Sequence, residues 1–145
     1  MKNTQNMPIT TTIDLVKKEI SKGSISHAEL VEECLKASDL PNAANVFTKK
    51  YSESALSAAR NTDSQAKSGV SLHPLAGLPI TIKDLYDVQG ETTESATKVL
   101  RGRAPANADA EIVKRIRYAG MAILGKTNMS AVSYTHLTLP TNREV

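Results

Sequence analysis

The sequence contains little of what several common classes of protein depend on. Cys34 is the one cysteine, tryptophan is absent and there is a single phenylalanine among the 145 residues. One cysteine excludes an internal disulfide framework and a zinc site built from several thiolates. Scarce aromatic side chains leave few platforms on which the bases of a single-stranded nucleic acid can stack. Disulfide-stabilised domains and single-strand binding proteins are therefore not indicated.

Long hydrophobic runs are also missing. Two lysines interrupt the apolar residues of LVKKEI at 15–20, so we predict neither a signal sequence nor a membrane span and expect a cytoplasmic protein. The 18 basic and 15 acidic residues leave a net charge of +3 that is spread along the chain, which does not indicate a nucleic-acid partner. Hydrophobic and charged residues, at 40% and 23%, are typical of a soluble globular domain.

Helix and strand signals alternate along the chain. Capping residues and apolar periodicity predict four helices. The first runs from Thr12 to about residue 22, and the second begins at a capping box of Ser26 and Glu29 and ends near residue 38. The third covers 52–67, and the fourth is capped by Asp109 and ended by Gly120. Apolar and β-branched runs predict strands at 45–49, 80–82 and 121–124. This alternation predicts an α/β fold.

The predicted strand at 80–82 ends in two charged residues. Gly77 and Pro79 lie in the loop before it, and Lys83 and Asp84 follow its last apolar residue. We expect a buried strand that presents a lysine at its end. Asp84 is expected to accept hydrogen bonds in its loop or to pair with a lysine, rather than to act as a second catalytic acid.

No metal ion or cofactor is expected. His27 and His73 lack the spacing of metal ligands, and we predict that both are solvated. Lys126 follows a glycine but lacks the glycine spacing of a phosphate-binding loop, so nucleotide binding is rejected. Cys34 lies among apolar residues at helical spacing, which favours a structural thiol over a reactive one.

Three stretches in a fixed order resemble a known family. They are HPLAGLPITIKD at 73–84, ADAEIVKRIR at 108–117 and AGMAILGKTNM at 119–129. Together they resemble the amidase-signature family. The resemblance implies that residues 1–130 form the N-terminal part of that family's mixed sheet, flanked by helices and incomplete. At 92–97 the sequence TTESAT departs from the TTAGS that many members have, so no role is carried over to this segment.

The resemblance also implies a reaction. The family cleaves amide bonds with a serine, cis-serine and lysine triad, and Lys83 matches the lysine. A lysine accepts a proton only when it is neutral, so its pKa has to fall from about 10.4 to roughly 7 to 8, and burial by the apolar strand is expected to lower it. The GGSSGG-type segment that supplies both serines does not occur in the sequence. The expectation is a truncated amidase whose parent hydrolyses a small carboxamide, with no turnover by this chain.

Residues 131–145 are predicted to be a non-native tail. The string VSYTHLTLPT at 132–141 resembles, in one frame and without a gap, the translation of a common transposase-based sequencing adapter. The following three residues have the length of a sample index, and the fixed adapter sequence after an index encodes valine and then a stop. This interpretation removes Tyr134 and His136 from the candidate site residues.

Two other interpretations remain open. The chain also resembles a fragment of the A subunit of a glutamyl- or aspartyl-tRNA amidotransferase. In that case six basic residues could contact the tRNA, although a solvated face is the favoured interpretation. They are Lys98, Arg101, Arg103, Lys114, Arg115 and Arg117. A non-catalytic α/β module that binds a partner would instead require a native tail. If the chain is an incomplete sheet, exposed strand edges and apolar faces predict aggregation or partial folding.

Overall fold

A computed structural model describes residues 12–129, which form a three-stranded mixed sheet with helices on both faces. The helices are α1 (Ile13–Ser21), α2 (His27–Ser38), α3 (Ser52–Lys67) and α4 (Glu111–Tyr118), and the strands are β1 (Phe47–Lys50), β2 (Pro79–Lys83) and β3 (Ala122–Thr127). The strand order is β1-β3-β2, with β3 antiparallel to β1 and parallel to β2. The predicted α/β fold is confirmed.

The first two helices begin where the sequence predicts. The Thr12 hydroxyl accepts the Leu15 N–H at 3.3 Å. The Ser26 hydroxyl accepts the Glu29 N–H at 3.1 Å, while the Glu29 carboxylate accepts the Ser26 N–H at 2.8 Å. Both caps satisfy donors that a helix leaves unpaired at its N-terminus, and each such cap stabilises a helix by about 1 kcal/mol. Local sequence therefore supplies the N-terminal caps of α1 and α2.

The predicted cap of α4 is wrong. The N-cap residue is Ala110, which makes no side-chain hydrogen bond, and α4 begins at Glu111. Asp109 instead accepts the Gln89 N–H at 2.7 Å and the Arg117 Nε–H at 2.8 Å. Each carboxylate oxygen thus accepts a charge-assisted hydrogen bond from a residue other than those of the first turn of α4.

Each face of the sheet has its own apolar cluster. On one face, α2 and α3 pack against β3 through six buried side chains: Val31, Leu35, Ala55, Ala59, Ala122 and Leu124. On the other face, α4 and the segment after β2 cover four: Ile82, Val88, Val113 and Ile123. We call these the α2/α3 face and the α4 face. Side chains of a strand alternate between faces, which explains why Leu124 and Ile123 belong to different clusters.

A β-bulge in β3 breaks this alternation. Ile80 pairs with Ile123, but Thr81 pairs with Gly125, so Leu124 is an extra residue on β3. One extra residue moves every later side chain to the opposite face. Lys126 therefore shares the α4 face with its partner Ile82.

Glycine is required at position 125 because β1 approaches its backbone closely. A Cβ there would overlap the Lys49 carbonyl oxygen and lie 3.0 Å from Lys50 Cα. Any larger residue would push β1 away from β3. The bulge and its glycine thus allow β1 to pair while Lys126 is redirected to the α4 face.

No helix within residues 12–129 is both long and apolar enough to span a bilayer. The predicted non-native segment 131–145, with Tyr134 and His136, lies outside the described residues.

Candidate active site

Lys83 is the last residue of β2, at the carboxyl ends of the two parallel strands β2 and β3. In open α/β sheets, ligands bind beside the carboxyl ends of parallel strands. Lys83 pairs with Thr127, the last residue of β3. The lysine thus occupies the end of the sheet where a site is expected.

The expected burial of Lys83 is not observed. Ile82 is 3% exposed, whereas Thr81 and Lys83 on either side of it are exposed. Strand alternation places these two side chains on the opposite face from Ile82, and within residues 12–129 β2 has β3 as its only neighbour. The predicted buried strand is therefore buried on one face only, because β2 is an edge strand among residues 12–129.

Next to Lys83, Asp84 and Lys126 form a buried ion pair. The Lys126 Nζ lies 2.7 Å from the Asp84 Oδ1, and the side chains are 2% and 3% exposed. The contact is an ion pair by distance, while its angle is not that of a hydrogen bond. The prediction that Asp84 pairs with a lysine is confirmed. The structural importance of Lys126 was missed, although a lysine in an otherwise apolar strand was a signal for it.

Lys126 also reaches the segment that follows β2. Its Nζ lies 3.2 Å from Thr93 Oγ1 and 3.5 Å from the Thr92 carbonyl oxygen. The Thr93 hydroxyl donates to Asp87 Oδ1 at 2.8 Å, which leaves its oxygen lone pairs available to the ammonium. The buried charge is therefore surrounded by oxygen atoms from two segments.

Two strained residues follow Thr93. Ser95 and Ala96 have φ angles of 49° and 55°, which non-glycine residues rarely adopt. The Ser95 N–H donates to the Asp84 carbonyl oxygen at 3.0 Å, so the strained turn is attached to the residue after Lys83. Such strain costs about 1 to 3 kcal/mol per residue and persists where surrounding contacts enforce it. Both lie in the segment 92–97, where the sequence departs from the pattern of the family.

The α4 face also buries an unpartnered hydroxyl. Tyr51 Oη has no hydrogen-bond partner among residues 12–129. Burial, with a smaller contribution from the Glu91 carboxylate, raises the pKa of Tyr51 to about 12. Tyr51 lines an open cavity of about 640 Å³ together with Arg117, Met121 and Ile123. Lys83, Asp84 and Lys126 do not line this cavity, which is therefore separate from the candidate site.

His27 is packed rather than solvated, which corrects the prediction. Its side chain is 12% exposed, and Nδ1 lies 2.7 Å from Asp63 Oδ1. The Asp63 carboxylate also accepts the backbone N–H groups of His27 and Ala28, each at 3.0 Å. Burial raises the pKa of Asp63, but these hydrogen bonds outweigh burial and lower it overall. A Cβ on Gly77 would lie 2.5 Å from the His27 ring, so the loop before β2 packs directly on it.

Three of the six basic candidates form ion pairs. Arg101 pairs with Glu94, Arg115 with Glu111 and Arg117 with Asp109. Pairing with carboxylates reduces the positive field that an RNA phosphate would meet, which favours the solvated-face interpretation. His73 is exposed, as predicted, and its Nδ1 accepts the Leu75 N–H at 3.2 Å. Within residues 12–129, no three His, Cys, Asp or Glu side chains are grouped so that they can hold a metal ion.

Comparison with known proteins gives a consistent result. The sequence profile of the Amidase family matches residues 29–140, a range that overlaps most of the segment 131–145. The chain is 35% identical over 128 residues to AtzE, the 1-carboxybiuret hydrolase component of Pseudomonas sp. strain ADP, covering 88% of the chain and 28% of that protein. It is 36% identical over 116 residues to the A subunit of glutamyl-tRNA(Gln) amidotransferase of Rhodopirellula baltica, covering 79% of the chain and 23% of that protein.

Solved structures agree with the sequence relatives. The native peptide amidase of Stenotrophomonas maltophilia superposes with a TM-score of 0.72 at 25% identity, over 85% of this chain and 26% of that one. A complex described as revealing the origins of an s-triazine catabolic enzyme gives a TM-score of 0.77 at 34% identity, over 86% of this chain and 27% of that one. The chain spans about a quarter of the length of these relatives. The chain belongs to the amidase family.

Proposed function

We propose that this chain is part of an amide hydrolase and that Lys83 is its catalytic lysine. The observation that carries the proposal is the position of Lys83, exposed at the carboxyl ends of β2 and β3 within a stretch that matches the family. The parent reaction is hydrolysis of the C–N bond of a small carboxamide in the cytoplasm. Neither a cofactor nor a metal ion is part of this proposal.

In the proposed mechanism, neutral Lys83 accepts a proton from a bridging serine. That serine in turn activates the nucleophilic serine, which attacks the carbonyl carbon and forms an acyl-enzyme that water opens. Backbone N–H groups of the Gly/Ser-rich segment would stabilise the oxyanion. Because Lys83 is exposed among residues 12–129, the low-dielectric surroundings that favour its neutral form would come from parts of the parent protein outside the stretch that this chain matches.

We do not expect this chain to turn over substrate. No GGSSGG-type segment occurs in its sequence, so a lysine base has neither serine to act on. Residues 131–145 are proposed to be translated adapter rather than native protein. The polypeptide that carries the activity would then continue differently after Ser130.

The test is to read the source DNA past the codon for Ser130 and to express the continuous reading frame. We expect the frame to encode a serine-rich glycine segment and its product to hydrolyse small carboxamides. Lys83→Ala should lower kcat by at least about 1,000-fold, because the triad loses its base. Lys114→Ala removes another lysine, on α4, and should leave kcat unchanged. An authentic stop after Val145, or full activity in Lys83→Ala, would overturn the proposal and favour a non-catalytic module.

A glutaminase-linked component of a tRNA amidotransferase is the second candidate. Relatives that are 36% and 37% identical are named as the A subunit of glutamyl-tRNA(Gln) amidotransferase. Release of ammonia from glutamine that depends on tRNA and on a partner protein would favour this branch. Hydrolysis of small carboxamides by the isolated product would favour the amidase.

A further inference from the structure

Lys126 connects three segments at the carboxyl end of the sheet. Its side chain starts on β3, its ammonium lies 2.7 Å from Asp84 after β2, and the same Nζ lies 3.2 Å from Thr93. The side chain of Lys126 is 2% exposed, so these oxygen atoms replace the water that an ammonium would otherwise bind.

The position of Lys126 depends on the bulge described above. Without the extra residue Leu124, strand alternation would place Lys126 on the α2/α3 face, among apolar side chains. The bulge directs it instead to the α4 face, where Asp84 and Thr93 provide oxygen ligands. Lysine is one of the most flexible side chains, and ordering it in a buried position is costly. If position 126 only had to complete the packing of β3, an apolar residue would do so without the free-energy cost of burying a charge.

Asp84 transmits the effect of Lys126 to Lys83. The Asp84 N–H donates to the Thr127 carbonyl oxygen at 2.9 Å, and its carbonyl oxygen accepts the Ser95 N–H at 3.0 Å. The side chain and both backbone groups of Asp84 are therefore each held by a contact outside β2. Lys83 is the preceding residue, so its backbone direction at the end of β2 follows from that of Asp84.

We propose that Lys126 is a positioning residue of the candidate active site, which holds Asp84 and the strained turn at Ser95 and Ala96 so that Lys83 keeps one orientation at the end of β2. This inference rests on the proposed role of Lys83. Lys126 itself does not touch the substrate. It acts through Asp84 and Thr93, and its contribution is to kcat rather than to substrate binding.

The experiment removes both charges together. Lys126→Met alone leaves the Asp84 carboxylate buried without a partner and strongly destabilises the fold, so the decisive variant is the double substitution Asp84→Asn with Lys126→Met. Lys49→Met is the matched control, because Lys49 pairs with Lys126 across β1 and β3 and its own ion pair, with Glu91, is much less buried. Both variants are made in the polypeptide that the source DNA encodes.

Two measurements are compared. Amide hydrogen exchange at Asp84 and Ser95 reports the local order directly and does not depend on catalysis. We expect exchange at these two amides to rise by at least about 10-fold in the double variant and to stay unchanged in Lys49→Met, with Tm close to that of the unsubstituted protein in both. In the hydrolysis assay, kcat should fall by about 100-fold in the double variant with KM little changed.

The outcomes separate the two proposals. Unchanged exchange at Asp84 and Ser95 overturns the positioning role, whatever the assay gives. Faster exchange with unchanged kcat overturns it as well, because Lys83 would then work without the fixed geometry. Full activity of Lys83→Ala overturns the proposed function, and with it any link from Lys126 to catalysis. Faster exchange, retained Tm and lowered kcat together support the inference.

Discussion

The two faces of the sheet are stabilised by different interactions. The α2/α3 face is closed by apolar side chains, and Val31 and Ala59 within it have no exposed surface. The α4 face combines a smaller apolar cluster with the Asp84–Lys126 ion pair and with the Tyr51 hydroxyl, which has no partner among residues 12–129. Apolar burial stabilises without requiring exact geometry, whereas a buried charge is tolerated only where its partners are fixed. The face with fixed polar geometry is the one that holds Asp84, the residue after Lys83.

The largest effect on stability is expected from breaking the ion pair on the α4 face. Lys126→Met should lower the free energy of unfolding by about 3 to 5 kcal/mol, because Asp84 remains buried and charged without its partner. Adding Asp84→Asn should recover most of this loss. On the α2/α3 face, Leu35→Ala should cost about 2 to 5 kcal/mol, and no second substitution should recover it, since the loss is apolar contact. Urea unfolding curves of the polypeptide that the source DNA encodes and of its three variants measure these differences.

A double variant no more stable than Lys126→Met would contradict this account of the pair. The attraction between Asp84 and Lys126 would then stabilise the fold by more than the burial of the two charges costs.

The next effect concerns acid stability at the end of the α2/α3 layer. Asp63 accepts hydrogen bonds from His27 and Ala28, and its folded-state pKa is lowered from 3.8. A carboxyl group with a depressed pKa contributes stability above its unfolded pKa and loses it as the pH falls through the folded value. The chain should therefore lose stability below about pH 4. Asp63→Asn should be less stable at pH 7 and show a shallower loss on acidification.

Thermal unfolding between about pH 2 and 7 measures this dependence. Glu111→Gln is a suitable control because Glu111 is exposed and pairs with Arg115 within one helix. Equal slopes for the unsubstituted protein and Asp63→Asn would show that Asp63 does not account for the acid sensitivity.

The smallest effect is expected at Tyr51. Its raised folded-state pKa of about 12 means that stability is fully present below the unfolded pKa of about 10 and is lost as the pH rises towards 12. Tyr51→Phe removes this alkaline loss. Near pH 7 the variant should differ by less than about 1 kcal/mol, because the removed hydroxyl has no partner among residues 12–129.

Unfolding between about pH 8 and 12 measures the effect, with Tyr118→Phe as the control on an exposed tyrosine. A clear destabilisation of Tyr51→Phe at neutral pH would reveal a hydrogen-bond partner for the hydroxyl.

Contacts between residues close in sequence were predictable, whereas contacts between distant residues were not. The caps at Thr12 and Ser26 involve residues three positions apart, so the sequence contains both partners. Pairing of Asp84 with a lysine was anticipated, but which lysine was not, because the two residues are separated by 42 positions and meet only across the β2–β3 pair. Asp109 and His27 were misjudged for the same reason. Asp109 binds Arg117 and Gln89, which are 8 and 20 positions away, and His27 binds Asp63, which is 36 positions away.

The sequence by itself determined the alternation of helices and strands and the placement of Lys83 at the end of an apolar run. Tertiary structure decided which face each side chain occupies: it placed Lys126 beside Asp84, enclosed His27 and left Lys83 exposed. For the two lysines the physical reason is the bulge, together with the edge position of β2 among residues 12–129. A single extra residue reverses the alternation of a strand, and only pairing with its neighbours shows where that residue is.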